Sequence, residues 1–247
     1  MGRVFGTLVF VLLSACGRGT PVRAELTVAA AANLTAVFQR IGPQFEAQTG
    51  IHPVFSFAST AQLARQIENA APFDVFAAAD AVHVDELDRQ GFLVPGTRAV
   101  YTTGILALWI PPQSSAAITS TEELTSPGVR VIAVANPELA PYGQAAIETL
   151  QRLNILAAVK SKIVYAENIN MAKQYGTSNN ADAVFTAYSL VLHEGGRVIQ
   201  VDEKLHRPIV QELGIIAKSP RQDAARKFVQ FLLTGTGRSV LLNSGYR

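Results

Sequence analysis

The stretch that most constrains this chain is Val54 to Asp80, VFSFASTAQLARQIENAAPFDVFAAAD. A strand-like run, Val54 to Phe57, meets a small-residue turn, Ala58-Ser59-Thr60, and then a helical pattern with Leu63, Ile67 and Ala70 on one face. Ser59 and Thr60 are helix-start residues, able to accept from the first free amides or to turn a hydroxyl outward. Thr60, Ala61 and Gln62 bring no acid to the first turn, so the positive end of the helix dipole stays unneutralised. Such an end, edged by hydroxyls, is a ready anion site. Taken alone, it is also an ordinary strand-to-helix turn. A second stretch upstream, Leu26 to Thr35 (LTVAAAANLT), repeats the design, with Leu34, Val37, Phe38 and Ile41 as the apolar stripe and Asn33 at the N-cap position. Two such units in succession bring two helix starts to one edge of a parallel sheet, where ligands bind in open α/β folds.

The rest of the chain keeps this alternation. Strands are predicted at Leu26–Ala30, His52–Phe57 and Phe73–Ala78, with helices at Leu34–Gln48, Thr60–Asn69 and Val82–Gln90. A β-rich run, Ala99 to Ile110, ends at the breaker Pro111-Pro112. The pattern then restarts, with strands at Val129–Ala135, Lys162–Tyr165, Ala183–Thr186 and Val198–Val201 and helices at Tyr142–Leu153 and Met171–Gly176. Another β run, Ile209–Ala217, precedes an amphipathic helix with Ala224, Phe228, Phe231 and Leu232 inside.

At 247 residues the chain can bury a substantial core. Its formal charge of +2, with no basic run, argues against a nucleic-acid partner. Val4 to Leu13 is apolar, too short to span a bilayer but suited to a secretory signal. Leu13-Ser14-Ala15-Cys16 resembles the lipobox of bacterial lipoproteins, which implies cleavage before Cys16 and its acylation. The alternative cleavage follows Val22-Arg23-Ala24 and discards Cys16. With no second cysteine there is no internal disulfide.

Three segments together, Ala29–Thr35 (AAAANLT), Phe57–Ile67 (FASTAQLARQI) and Phe73–Asp80 (FDVFAAAD), resemble the periplasmic molybdate-binding proteins of ATP-driven oxyanion importers. The pattern continues through Asn136-Pro137-Glu138 with Tyr142-Gly143, then Glu167-Asn168-Ile169, then Ala183 to Ala187. The resemblance implies an α/β, two-lobed periplasmic-binding-protein fold of type II, each lobe a mixed, mainly parallel sheet flanked by helices, with the ligand in the cleft between lobes. It implies a signal peptide over 1–15, a tether over 16–24, one lobe from 25–103 and 211–247, and the other from 104–210. It maps ligand contacts onto Ala32, Asn33, Ser59, Thr60, Tyr142 and Ile169. The apolar positions and Tyr142 would offer backbone N–H groups, while Asn33 and the two hydroxyls would also donate from side chains. Some relatives carry a ligand-contacting tyrosine where this chain has Ala187.

Neutral amides and hydroxyls at helix starts suit a fully deprotonated dianion, which offers only acceptors. Phosphate in its monoprotonated form needs an acceptor, and none of the mapped residues is acidic. Each residue also has a plain reading: Asn33 and Thr60 as caps, Tyr142 as a surface aromatic, Ile169 as core. Asp74 and Asp80 lie about 20 Å apart in an extended strand, too far to share a bond, and Asp74 is expected to cap or pair locally. The four histidines lack metal-type spacing, and no hydrolase, P-loop or dinucleotide motif occurs. The expectation is a monomeric, extracytoplasmic, non-catalytic receptor for molybdate and tungstate. It would need no cofactor and no cationic metal, be anchored through Cys16, and dock on an ABC permease. The alternatives are a receptor for another tetrahedral oxyanion such as sulfate, or an enzyme or sensor on the same fold.

Overall fold

The computed structural model describes residues 2 and 24–247. The signal, lipobox and most of the tether expected at the N-terminus, Cys16 included, lie outside the described residues. β1 (Ala24–Ala31) passes through a 3-10 turn, Ala32–Leu34, into α1 (Thr35–Thr49). β2 (Ile51–Ala58), α2 (Thr60–Glu68), β3 (Val75–Ala77) and α3 (Val82–Arg89) follow. β4 (Ala99–Gly104) then runs almost directly into β5 (Leu106–Ile110). Next come β6 (Ile132–Ala135), α4 (Pro141–Arg152), α5 (Leu156–Val159), β7 (Ile163–Ala166), α6 (Ile169–Thr177), β8 (Ala183–Ala187), α7 (Tyr188–Val191) and β9 (Arg197–Gln200). β10 (Ile209–Ile215), α8 (Gln222–Leu233) and α9 (Gly235–Leu242) complete the order.

The strands form two sheets, β2-β1-β3-β10-β4 and β7-β6-β8-β5-β9. In each, two pairings are parallel and two antiparallel. The parallel half comes from the strand–turn–helix repeats. The antiparallel half comes from the strands next to the two crossings, which enter from the other sheet's side. β10 slots between β3 and β4 and returns the chain to the first sheet.

An aromatic cluster then pins α8 to that sheet. Phe228 stands 5.8 Å from Phe38 and 5.1 Å from Phe45, both edge-on, and Phe231 lies 5.5 Å from Phe45. Each such side chain contributes about 1.5–3 kcal/mol by burial, and each aromatic pair roughly 0.5–1.5 kcal/mol more.

Several local expectations are corrected. Asn33 does not cap α1; it sits inside the 3-10 turn, whose flanking residues cap without side chains. Ala70 is not on the apolar face of α2, because the helix stops at Glu68 and Ala70 adopts a left-handed conformation with φ 61°. Ala64 takes its place in the stripe. In α8 it is Ala225 that is buried, with Ala224 only half-buried. Asp74 pairs over long range rather than locally, accepting from Thr27 N at 2.7 Å, Ser219 Oγ at 2.6 Å and Arg221 Nη1 at 3.1 Å. Its carboxylate ties β3 to the segment after β10, a structural task. Among the described residues, no helix is long and apolar enough to cross a membrane.

Candidate functional site

Four helix starts meet where the two sheets face each other. The 3-10 turn ahead of α1 and the start of α2 come from the first sheet's side, and the starts of α4 and α6 from the second's. Each lies at the C-terminal end of a strand, because each strand–turn–helix unit runs in the same sense. α2 is capped by Ser59, whose N–H and hydroxyl both donate to Gln62 Oε1 at 3.2 and 2.6 Å. Asn168 caps α6 by accepting from Asn170 N and Met171 N. Pro141 occupies the first turn of α4, where a missing N–H costs nothing.

One small cavity collects Ala32, Asn33, Ser59, Thr60, Tyr142 and Ile169, with Ala79 and Ala140 beside them. The first six are each 4% exposed or less. The cavity measures about 10 Å3, room for the centre of roughly one water-sized sphere. Organic ligands occupy pockets of about 300–1,000 Å3, far larger than this one. A larger crevice of about 350 Å3 opens behind Ala79 and Pro141, where Glu148 and Arg207 face each other. That pair is self-neutralising, joined by Arg207 Nε to Glu148 Oε1 at 2.8 Å, and offers little to an anion.

None of the residues lining the small cavity is charged. The helices that start there carry no acid in their first turns. α3 and α8, by contrast, begin with Asp85 and Asp223. The first N–H groups of a helix have no intrahelical acceptor. Asn33, Thr60, Tyr142 and Ile169 all stand at such positions. Each helix start carries roughly half a positive charge, so four of them amount to about two, the charge that balances a dianion.

The side chains divide the work. Thr60 Oγ1 accepts from Ala79 N at 3.1 Å, which leaves its proton for a ligand. The Ser59 proton is spent on the cap. Asn33 Nδ2 donates to Gln211 Oε1 at 3.0 Å and to Tyr246 OH at 3.2 Å, and its Oδ1 has no partner among the described residues. Tyr246 OH donates to Asn33 O at 2.8 Å, and Gln211 Nε2 donates to Tyr142 OH at 3.0 Å. Tyr101 OH stands 2.8 Å from Ala78 O and 3.0 Å from Gln211 Oε1. Burial pushes the Tyr101 and Tyr142 phenols well above their ordinary range, and Tyr246 up to about 12. All three therefore stay neutral and can donate at physiological pH.

The structure thus gathers all six mapped residues around one cavity. Ala187 does not line it; it lies in β8, buried and paired with Leu106. Tyr101, Gln211 and Tyr246 were not expected at the site. The one sequence signal for them is a glutamine in the apolar strand IVQELGI. Three further bonds cross between the lobes around the cavity. Ala61 N donates to Leu139 O at 3.2 Å, Asn170 Nδ2 donates to Thr35 Oγ1 at 2.7 Å, and Gln62 Nε2 donates to Glu167.

No group of metal-ligating side chains occurs among the described residues. His52 and His83 pair with Glu46 and Asp80, and His206 Nδ1 lies 2.7 Å from Arg207 O.

A family model described as bacterial extracellular solute-binding protein matches residues 26–247. The chain is 36% identical over 233 residues to the molybdate-binding protein ModA of Azotobacter vinelandii, covering 90% of this chain and 90% of that protein. It is 32% identical over 223 residues to ModA of Rhodobacter capsulatus, covering 90% and 88%. Among solved structures it is similar to the Azotobacter vinelandii periplasmic molybdate-binding protein, with a TM-score of 0.85, 30% identity and coverage of 90% of this chain and 98% of that one.

Proposed function

The chain belongs to the bacterial extracellular solute-binding protein family, with the two-lobed type II fold, and from that premise we propose that it captures molybdate and tungstate for an ABC importer. It binds without catalysis, needs no cofactor and holds no cationic metal; the metal arrives inside the oxyanion. The observation that carries this reading is the convergence of four acid-free helix starts on one uncharged cavity. Fixed N–H donors suit a dianion that is all acceptor. The names of the two ModA relatives support the same ligand.

On this reading the lobes comprise 25–103 with 211–247, and 104–210, and they close on the anion by bending at the crossings. The protein works as an extracytoplasmic monomer, is carried out by the 1–15 signal, is anchored through lipidated Cys16 and hands its ligand to a membrane permease. Calorimetry of residues 25–247 against molybdate, tungstate, sulfate and phosphate tests the ligand assignment. Molybdate and tungstate, nearly equal in size, are expected to bind alike. Sulfate is smaller and misses donors of a rigid cavity, and each buried bond left unmade costs about 1–3 kcal/mol, so its affinity should fall at least roughly tenfold. Sulfate binding as tightly as molybdate would leave only a general oxyanion receptor.

A further inference from the structure

Each of the four helix starts at the cavity is tied to one from the opposite lobe. On one side Asn170, the second residue of α6, donates from Nδ2 to Thr35 Oγ1 at 2.7 Å. Thr35 is the first residue of α1, and its hydroxyl donates in turn to Ala32 O at 2.8 Å. On the other side Ala61 N, in the first turn of α2, donates to Leu139 O at 3.2 Å, two residues before Pro141 opens α4. The side-chain tie holds whichever end of the Asn170 amide faces Thr35, because a hydroxyl both donates and accepts.

Neither Asn170 nor Thr35 lines the cavity; both are half-buried beside it and uncharged. Their bond nevertheless joins two elements that do line it. Asn170 follows Ile169, and its own N–H is held by Asn168 Oδ1 at 3.0 Å. Thr35 holds the carbonyl of Ala32 in the 3-10 turn. Hydrogen-bonded heavy atoms resist compression as well as stretching, because their separation is confined to about 2.7–3.2 Å. A small anion therefore cannot draw the lobes inward past this contact, nor a large one hold them apart without breaking it.

We infer that Asn170 and Thr35 are positioning residues: their bond sets the span between the two lobes' donors and so carries part of the preference for molybdate over smaller oxyanions. The inference rests on the oxyanion reading above and names the residues that keep the cavity rigid between lobes. It differs from a bond that only favours closure. Such a bond raises the population of the closed form, which multiplies the affinity for every anion by the same factor. A bond that sets the span changes the ratio between anions of different size.

The test is calorimetry of the purified protein with molybdate, and with sulfate by competition, on wild type, Asn170→Ala, Thr35→Ala and the double variant. Both substitutions conserve charge and lie off the cavity lining, so repulsion of the dianion plays no part. Each single variant is expected to weaken molybdate about tenfold. Sulfate, now free to draw the lobes closer, should lose less than about threefold, so the preference shrinks by roughly threefold or more. The double variant breaks the same bond and should be no weaker than either single one. Thr35→Ser keeps the hydroxyl and should restore the preference. Equal losses for both anions, or losses that add in the double variant, overturn the inference. So does a loss in Asn170→Ala with none in Thr35→Ala, which would make Asn170 a direct ligand donor. Should one alanine variant fail to fold, the ratio in the other decides. A wild type that binds no oxyanion overturns the receptor reading and this inference with it, whereas an unchanged ratio in a protein that prefers molybdate overturns only the inference.

Discussion

Ser59 and Thr60 are adjacent hydroxyls at one helix start, yet their protons go to different places. Ser59 donates within its own cap, to Gln62, whereas Thr60, in the cavity lining, accepts from Ala79 N and has its own proton left to give. Thr60→Val therefore orphans a buried N–H, at a cost of about 1–3 kcal/mol, and removes the hydroxyl proposed as a ligand donor as well. Molybdate affinity is expected to fall at least roughly tenfold. Ser59→Ala should lower the thermal midpoint by the equivalent of about 1 kcal/mol of lost capping with a smaller change in affinity. Calorimetry on both variants separates the roles, and wild-type affinity in Thr60→Val would remove that hydroxyl from the site. These two residues could be marked from sequence because a cap announces itself by residue type at a pattern boundary. Asn33 was misread as a cap for the same reason: a 3-10 turn shifted the start of the regular helix past it. Gln211, Tyr101 and Tyr246 escaped because their meaning lies in contacts with residues far away in the chain, which no local pattern encodes.

At the level of elements, α4 touches the end of β6 so closely that only a glycine fits. A Cβ on Gly143 would stand 2.0 Å from Ala135 O. Gly143→Ala must push the helix start back, at roughly 1–3 kcal/mol for such overpacking, and carry the Tyr142 N–H out of the cavity. Lower thermal stability together with lost molybdate binding is expected; full binding would show that the start of α4 is not a donor. The strand–turn–helix units themselves were readable, since the hydrophobic period switches from two to near four at each small-residue turn. α9 was not, because Gly235, Thr236 and Gly237 at its start are poor helix formers that packing against α1 and α8 overrides. The insertion of β10 between β3 and β4 was likewise beyond local pattern: Leu213 pairs with Ala77 and Val210 with Thr103, partners set by topology rather than by nearby sequence.

Across the whole molecule, the proposed anion site draws on dipoles rather than on net charge, which is only +2. Buried donors are screened far less than exposed lysines. Raising NaCl from about 50 to about 500 mM should therefore change the molybdate Kd by less than roughly threefold; a fall in affinity of tenfold or more would point to surface cations outside the cavity. The position of β10 has a separate consequence for the order in which the molecule is built. The second sheet uses one unbroken stretch of chain, but the first has a gap between β3 and β4 until residue 215 has been made. Pairings of such sequence separation form slowly, because loop closure must precede their reward. The first lobe thus waits for the second to be synthesised, and the Asn33 turn waits longer still, for the hydroxyl of Tyr246. A nascent chain can carry a finished second lobe while it has no place to hold an ion.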